Sequence, residues 1–233
     1  MSEQKYILEI YPIMNIHDFN PREQDENSCT IAYFSRDYLL GDKRVADSVE
    51  DYILKNCDEV NDAYYEEGMD CYDVDDVEAN EFIREKFEEL YYHRPVYAYI
   101  HGGVTISVGS FSCPWDSGQS GFIYMSKKAV EDIFKYYGSP DSKFKTPEDV
   151  FNHISQGEVE EFDKYLTGQV YRYVLRDEDG EVVDSCSGFL GDDVRENGIL
   201  GDCVDPDEVS EIHYMEQQNV TVWEAGQTET LAA

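Results

Sequence analysis

The most evident shortage in this chain of 233 residues is positive charge. Lysine and arginine together number 18, against 51 aspartates and glutamates, so the formal net charge is −33 at pH 7. Direct binding to nucleic acid is therefore disfavoured, because phosphates are neutralised by lysine and arginine. Like charges also repel and destabilise a compact fold. High salt, a bound metal or a strongly basic partner surface would each compensate that cost.

Long apolar runs are missing as well. No stretch approaches the roughly 20 apolar residues that span a bilayer. The chain does not open with a basic segment followed by an apolar one, as a signal peptide does. The six cysteines are widely spaced, without the Cys-x-x-Cys pair of many zinc sites. We therefore expect a soluble, cytoplasmic protein with reduced cysteines and no membrane association.

Motifs of the common enzyme and metal-binding classes are also lacking. The sequence contains no Walker loop, dinucleotide fingerprint, G-x-S-x-G or H-E-x-x-H. The acidic segment 73–78 fails the calcium template of an EF-hand. Val77 stands where an oxygen ligand is needed, and Glu78 stands where glycine is needed. The sequence thus predicts no metal and no cofactor.

What the sequence does contain is enough apolar material for a folded core. Hydrophobic residues make up 41%, including 19 tyrosines and 11 phenylalanines. Val104 and Ile106 alternate with polar residues after Gly102-Gly103, which predicts a β-hairpin. Ile83 and Phe87 lie at helical spacing within 81–92. This mixture of hairpins and single helices predicts an α+β fold with an antiparallel sheet and several amphipathic, acidic-faced helices.

Further elements follow from the same patterns. The segment 41–55 is predicted to be helical, with Asp47, Glu50 and Asp51 pointing away from the core. A hairpin is expected between 169–175 and 181–186. The segment 205–208 is expected to cap a final acidic helix.

The charge density changes sharply near Pro95, which suggests a domain boundary. We predict an acidic N-terminal α/β region over 1–95 and a central and C-terminal α+β domain over 96–226. A frayed tail follows over 227–233. One continuous domain is the alternative.

The acidic residues are concentrated in two segments. Fourteen acids and two bases lie in 58–89, and fourteen acids and one base lie in 177–216. Between them, 94–145 holds four acids and six bases. Adaptation to salt would spread the acids evenly, so this distribution favours a basic partner. The candidate partner-binding residues are Asp58, Glu59, Asp62, Glu66, Glu67, Asp70, Asp73, Asp75, Asp76, Glu78, Glu81, Glu85, Glu88, Glu89, Asp202, Asp205, Asp207, Glu208 and Glu211.

Such charge on one face would offer a basic DNA-binding groove a substitute for phosphates. Tyrosines interleaved with the acids would supply interface anchors. The plainer interpretation is a generally acidic, soluble protein. The tyrosines concerned are Tyr64, Tyr65, Tyr72, Tyr91 and Tyr92.

One loop combines residue types that could carry chemistry. Cys113, Asp116 and Gln119 lie between two predicted strands, and His101 lies at the preceding turn. A cysteine and histidine assisted by a carboxylate or amide are the groups of a thiol hydrolase. In a regular hairpin, however, His101 and Cys113 would be about 30 Å apart, at about 3.4 Å per residue.

We therefore favour a structural role for this loop. Pro114, Gly118 and Gly121 would shape the backbone, and Trp115 would fill the core. A cysteine-dependent enzyme that acts on a nucleotide or signalling molecule remains the alternative.

The central residues also carry a family resemblance. It rests on 99–103, on the CPWDSGQ segment 113–119 and on GFIY at 121–124, and covers about 96–191. Further matches are 158–160, 165–168, 171–174, 184–186 and 188–189. This stretch resembles a family of uncharacterised proteins of phages and other mobile elements. The resemblance transfers no catalytic residue, but it implies a phage accessory protein made in a bacterial cytoplasm.

The overall composition is similar to that of acidic, DNA-mimicking antirestriction and anti-CRISPR proteins, without a shared motif. The leading hypothesis is a non-enzymatic phage inhibitor that occupies the basic nucleic-acid groove of a host restriction or CRISPR complex. Besides the enzyme, an oligomeric scaffold that associates through its tyrosines is the other hypothesis.

Overall fold

A computed structural model describes residues 5–23, 27–69, 72–73, 75–137, 143–215, 221–224 and 227–230. The chain forms two compact units, one made of 1–21 with 161–233 and the other of 22–160. The predicted boundary near Pro95 falls inside a strand. No described helix has the length and apolar character that crossing a bilayer requires.

Strands and helices follow one another in runs along the chain. The strands are β1 Tyr6–Pro12, β2 Thr30–Tyr33, β3 Lys43–Arg44, β4 Tyr91–Ile100, β5 Val104–Ser107, β6 Ser117–Ser126, β7 Val170–Arg176, β8 Val182–Leu190, β9 Val209–Tyr214, β10 Thr221–Glu224 and β11 Gln227–Thr230. The helices are α1 Val49–Asn56, α2 Asp58–Glu66, α3 Val77–Leu90, α4 Lys127–Tyr137 and α5 Pro147–Leu166.

The predicted α+β class is confirmed, but the sheets are mixed rather than purely antiparallel. The unit 22–160 holds a five-stranded sheet in the order β3-β2-β6-β4-β5, in which β2 and β3 are parallel. The other unit holds a sheet in the order β8-β7-β1-β9, in which β1 and β9 are parallel. Each parallel pair joins strands separated by intervening chain, which local hairpin patterns do not reveal.

The predicted final helix is wrong. Asp205 does cap a turn, because its side chain accepts a hydrogen bond from Asp207 N. That turn is one short 3-10 helix, Pro206–Glu208, and the chain then continues as β9. Of the predicted tail, Gln227–Thr230 pairs with Thr221–Glu224, and 231–233 lie outside the described residues.

A layer of three helices covers one face of the five-stranded sheet. Tyr52 of α1, Tyr64 of α2 and Phe87 of α3 are buried in one apolar cluster with Phe122 and Tyr124 of β6. Side-chain caps begin two of these helices: Ser48 Oγ accepts from Asp51 N at 3.0 Å, and Asp76 Oδ1 accepts from Ala79 N at 3.1 Å. The apolar inner stripes fix which side of each helix faces solvent.

The opposite face of this sheet packs against α5. Successive strand residues point to opposite faces, and β4 shows this directly. Tyr91 joins the cluster beneath the three helices, whereas Tyr92 stacks on Phe151 of α5 with ring centroids 5.6 Å apart. Arg94 Nη1 then donates to Asn152 O at 3.2 Å.

A buried ion-pair network is centred on Arg22, the first residue of this unit. The Arg22 side chain, only 3% exposed, forms two hydrogen bonds with Asp42, at 2.9 and 2.7 Å. It also donates to Glu158 Oε2 at 2.7 Å. Asp42 accepts from Ile31 N, and Glu158 accepts from Cys29 N. This network, which we call the Arg22 clamp, ties α5 to β2 through charges that all have partners.

Candidate acidic binding surface

The outer sides of α2 and α3, with the described residues between them, form a densely acidic surface. Its apolar counterparts, such as Val60 and Ile83, are buried beneath it. Helical periodicity explains the separation, because the acids occupy the positions opposite the inner stripe. We call this the acidic helical surface. Its exposed members are Asp58, Asp62, Glu66, Glu67, Asp73, Asp75, Asp76, Glu78, Glu81, Glu85, Glu88 and Glu89.

Glutamates at regular spacing form a stripe along α3. Glu78, Glu81, Glu85 and Glu88 follow one another at three or four residues, so they lie on one side of the helix. At 1.5 Å per residue they span about 15 Å. One strand of duplex DNA carries a phosphate per about 3.4 Å of axis. The stripe thus reaches roughly two-thirds of the linear charge density of a DNA strand.

The two bases of this segment are already engaged by acids. Arg84 Nε lies 2.6 Å from Glu50 Oε1, and Lys86 Nζ lies 2.7 Å from Glu89 Oε2. The hydrogen bond from Lys86 holds the pKa of Glu89 below its usual range. Within the described part of the chain, Glu81 and Glu78 take part in no ion pair. Most of the charge therefore faces solvent without a counter-charge.

Not every predicted residue belongs to this surface. Glu59 is half-buried and hydrogen-bonded to Tyr91, and Asp70 lies outside the described residues. Asp202, Asp205, Asp207, Glu208 and Glu211 are all exposed, but they belong to the other unit, in a loop and at β9.

The tyrosines interleaved with the acids differ in accessibility. Tyr64 and Tyr91 are buried in the core beneath α2 and α3. Tyr72 and Tyr92 are half-buried. Tyr65 is 53% exposed on the outer side of α2 and is thus the aromatic residue of this set that a partner could contact.

The structure brings together the residues of the alternative, thiol-based site. β4 pairs directly with β6, and Ile100 N donates to Asp116 O at 2.9 Å, so the chain before β6 returns to the end of β4. His101 Nδ1 and Cys113 Sγ lie 3.4 and 3.9 Å from Asp116 Oδ2. The expected separation of His101 and Cys113 is therefore wrong.

The order of these groups does not suit nucleophilic catalysis. A catalytic cysteine needs a base within hydrogen-bond reach, itself oriented by a third group. Here Cys113 and His101 each approach Asp116 Oδ2, and among the described residues no hydrogen bond joins the thiol to the imidazole. Gln119 is engaged locally, since its Nε2 donates to Gly121 O at 3.1 Å.

Trp115 does not fill the core as expected. Its side chain is 91% exposed, because the loop that carries it lies at the rim of the sheet rather than over a sheet face. Around it, Ser117 donates a hydrogen bond to the Cys113 carbonyl, which shapes the turn. The structural role predicted for the loop backbone remains a prediction, but the role predicted for Trp115 is wrong.

Sequence reasoning also missed Glu50. It was expected to point away from the core, yet it is only 8% exposed. Its position in the first turn of α1, two residues after the cap residue Ser48, accounts for its negative charge but not for its burial. A helix N-terminus favours negative charge there.

The described residues contain no group of three or more histidine, cysteine or acidic side chains arranged to hold a metal ion. Comparison of the chain with protein-family models, with curated proteins and with solved structures found no match.

Proposed function

We propose that this protein is a phage-encoded, non-enzymatic inhibitor of a host nucleic-acid-directed defence complex, of the restriction or CRISPR type. It acts inside the host cell, where the acidic helical surface occupies a basic groove that otherwise binds DNA. The observation that carries the proposal is that surface itself, where acids crowd along α2 and α3 while Arg84 and Lys86 are engaged in ion pairs.

The energetics support a role in binding rather than in folding. Like charges three or four residues apart on a helix destabilise it. Glu81 and Glu85, which are four residues apart, therefore work against the stability of α3. Complementary charge on a partner would turn that repulsion into attraction and would accelerate association.

The test is competition with DNA on purified complexes. Labelled duplex DNA is bound to each member of a panel of restriction enzymes and CRISPR effectors, and the protein is titrated in. We expect displacement from at least one complex, with an affinity that falls at least tenfold between about 50 and 200 mM salt.

A charge-matched pair of variants locates the surface. The triple variant Glu78→Gln, Glu81→Gln, Glu85→Gln should weaken displacement by about tenfold or more, since rim charges mainly set association. The control, Glu131→Gln, Glu160→Gln, Glu161→Gln, removes the same charge from exposed positions outside the acidic helical surface. Equal weakening by both triples, or displacement that ignores salt, would contradict the proposal.

A Cys113→Ala variant distinguishes the inhibitor hypothesis from the hypothesis of a cysteine-dependent enzyme. The mimic needs no thiol, so displacement should be unchanged. Loss of function in a folded Cys113→Ala protein would favour the cysteine-dependent alternative. Measurement of the solution mass tests the oligomeric scaffold.

A further inference from the structure

A hollow opens in the unit 22–160 between α1, α3 and the sheet. Its volume is about 510 Å³, within the range of about 300–1,000 Å³ that ligand sites occupy. Three aromatic rings, those of Phe34, Phe87 and Phe122, contribute to its walls, together with Val49 and Ile53. Such walls suit a flat apolar group.

Among its few polar lining groups, Glu50 is the most enclosed. Its side chain is 10% exposed, and Arg84 Nε donates to Oε1 at 2.6 Å. Among the described residues, nothing donates a hydrogen bond to Oε2, and no buried side-chain oxygen lacks a partner. Oε2 is therefore reachable by solvent, and Glu50 is among the residues that line the hollow.

The remaining charges around the hollow are also biased toward acid. Glu88 lines it, with its Oε1 2.8 Å from His93 Nε2. Two carboxylates thus stand against the one permanent cation, Arg84. A ligand with positive charge is favoured over an anion, because opposite charges attract more strongly where water is partly excluded.

We propose that this hollow is a binding site for a small aromatic cation, such as an aryl amidinium, guanidinium or amine. The ring lies among Phe34, Phe87 and Phe122, and the cationic group donates a charge-assisted hydrogen bond to Glu50 Oε2. The hollow shares only Glu88 with the acidic helical surface, and this inference does not depend on the proposed function.

The test uses three probes with the same ring. Benzamidine carries a cation, benzamide is neutral and benzoate is an anion. We expect ligand-observed NMR and calorimetry on the full chain to show benzamidine binding about tenfold or more tightly than benzamide, as expected for a hydrogen bond to a charged group. We expect no binding of benzoate.

Two variants and a control locate the site. Glu50→Gln should remove the preference for benzamidine over benzamide while leaving the apolar walls in place. Val49→Phe narrows the hollow and should weaken binding of both probes, so it serves as the second test if Glu50→Gln does not fold. Glu81→Gln removes the same charge from the outer side of α3, away from the hollow, and should leave binding unchanged.

Several outcomes would overturn the inference. Equal binding of benzamidine and benzamide would show an apolar hollow without a role for Glu50. Preference for benzoate would assign the site to Arg84. If Glu81→Gln and Glu50→Gln weakened benzamidine binding equally, the binding would reflect general attraction of a cation to an acidic protein. Absence of binding by any probe would remove the site.

Discussion

Helices α3 and α4 border neighbouring strands but carry opposite charge. α3 leads directly into β4, α4 follows directly from β6, and these two strands are hydrogen-bonded to each other. Both helices bury an apolar stripe, which includes Ile83 in α3 and Val130 in α4. Yet α3 holds five glutamates and two bases, whereas α4 holds two acids and three lysines.

This difference separates what the fold requires from what it does not. A surface helix needs a polar outer side, but its packing does not specify the sign of the charge. α4 shows that the same sheet accepts a mildly basic helix. The packing of α3 therefore does not require its acidity. Acids that maintain the fold can be distinguished from acids that do not by substituting each kind.

The largest loss in the free energy of unfolding is expected for a substitution in the Arg22 clamp. Arg22→Met would leave Asp42 and Glu158 as partly buried carboxylates without their counter-charge, at side-chain exposures of 19% and 12%. Loss of one partner from a buried ion pair costs about 3–5 kcal/mol. Urea unfolding should show that loss. The matched variant Lys86→Met removes a base from the exposed Glu89, and its free energy of unfolding should fall far less, because solvent screens an exposed pair. Equal losses in the two variants would contradict this difference.

A second effect concerns the tyrosines beneath the three-helix layer. Burial raises the pKa of Tyr52 to about 12, and it also raises the pKa values of Tyr91 and Tyr124. In the unfolded chain a tyrosine ionises near pH 10. The stability that these tyrosines contribute is therefore complete below pH 10 and is lost as the pH rises toward the folded values, because the unfolded chain loses protons first.

The expected slope is at most about 1.4 kcal/mol per pH unit for each such tyrosine. Unfolding free energies measured between pH 9 and pH 12 would show it. The variant Tyr52→Phe should reduce the slope. A slope that is unchanged in this variant would assign the alkaline instability to other groups.

The smallest effect has opposite signs on the two compared helices. Glu85→Gln on α3 removes repulsion from Glu81 and Glu89, each four residues away, and should stabilise by about 0.2–0.5 kcal/mol per pair. Glu131→Gln on α4 removes a weaker attraction to Lys135, which is also four residues away and is paired with Asp132, and should destabilise the protein slightly. Thermal unfolding at low salt should show a higher melting temperature for Glu85→Gln and a lower one for Glu131→Gln. Changes of the same sign in both variants would contradict this prediction.

The parts of the fold that depend on local patterns were predictable. The spacing of Ile83 and Phe87 predicted the buried side of α3, and both residues are buried. The alternation around Gly102 predicted the β4–β5 hairpin, which the structure contains. In each case the residues that pack together are close in sequence, so periodicity alone carries the information.

The parts that depend on distant pairing were not predictable. β9 pairs in parallel with β1, although the two strands lie near opposite ends of the described sequence. Local patterns cannot show such a pairing, and the acidic segment before β9 instead predicted the start of a helix. The direct pairing of β4 with β6 likewise brings Asp116 beside His101, which the hairpin pattern did not indicate. Nor could periodicity show that Glu50 is enclosed, since that depends on where Arg84 of another helix lies.

The exposed ring of Trp115 gives the protein an optical reporter. The chain contains only two tryptophans, and Trp115 stands in water at the wall of a second hollow, whose lining it shares with Phe34 and Gln119. An indole in water emits at longer wavelength than one in an apolar environment. A molecule or partner that covers this loop would therefore shift the emission to shorter wavelength, and fluorescence could follow the encounter in real time without a label.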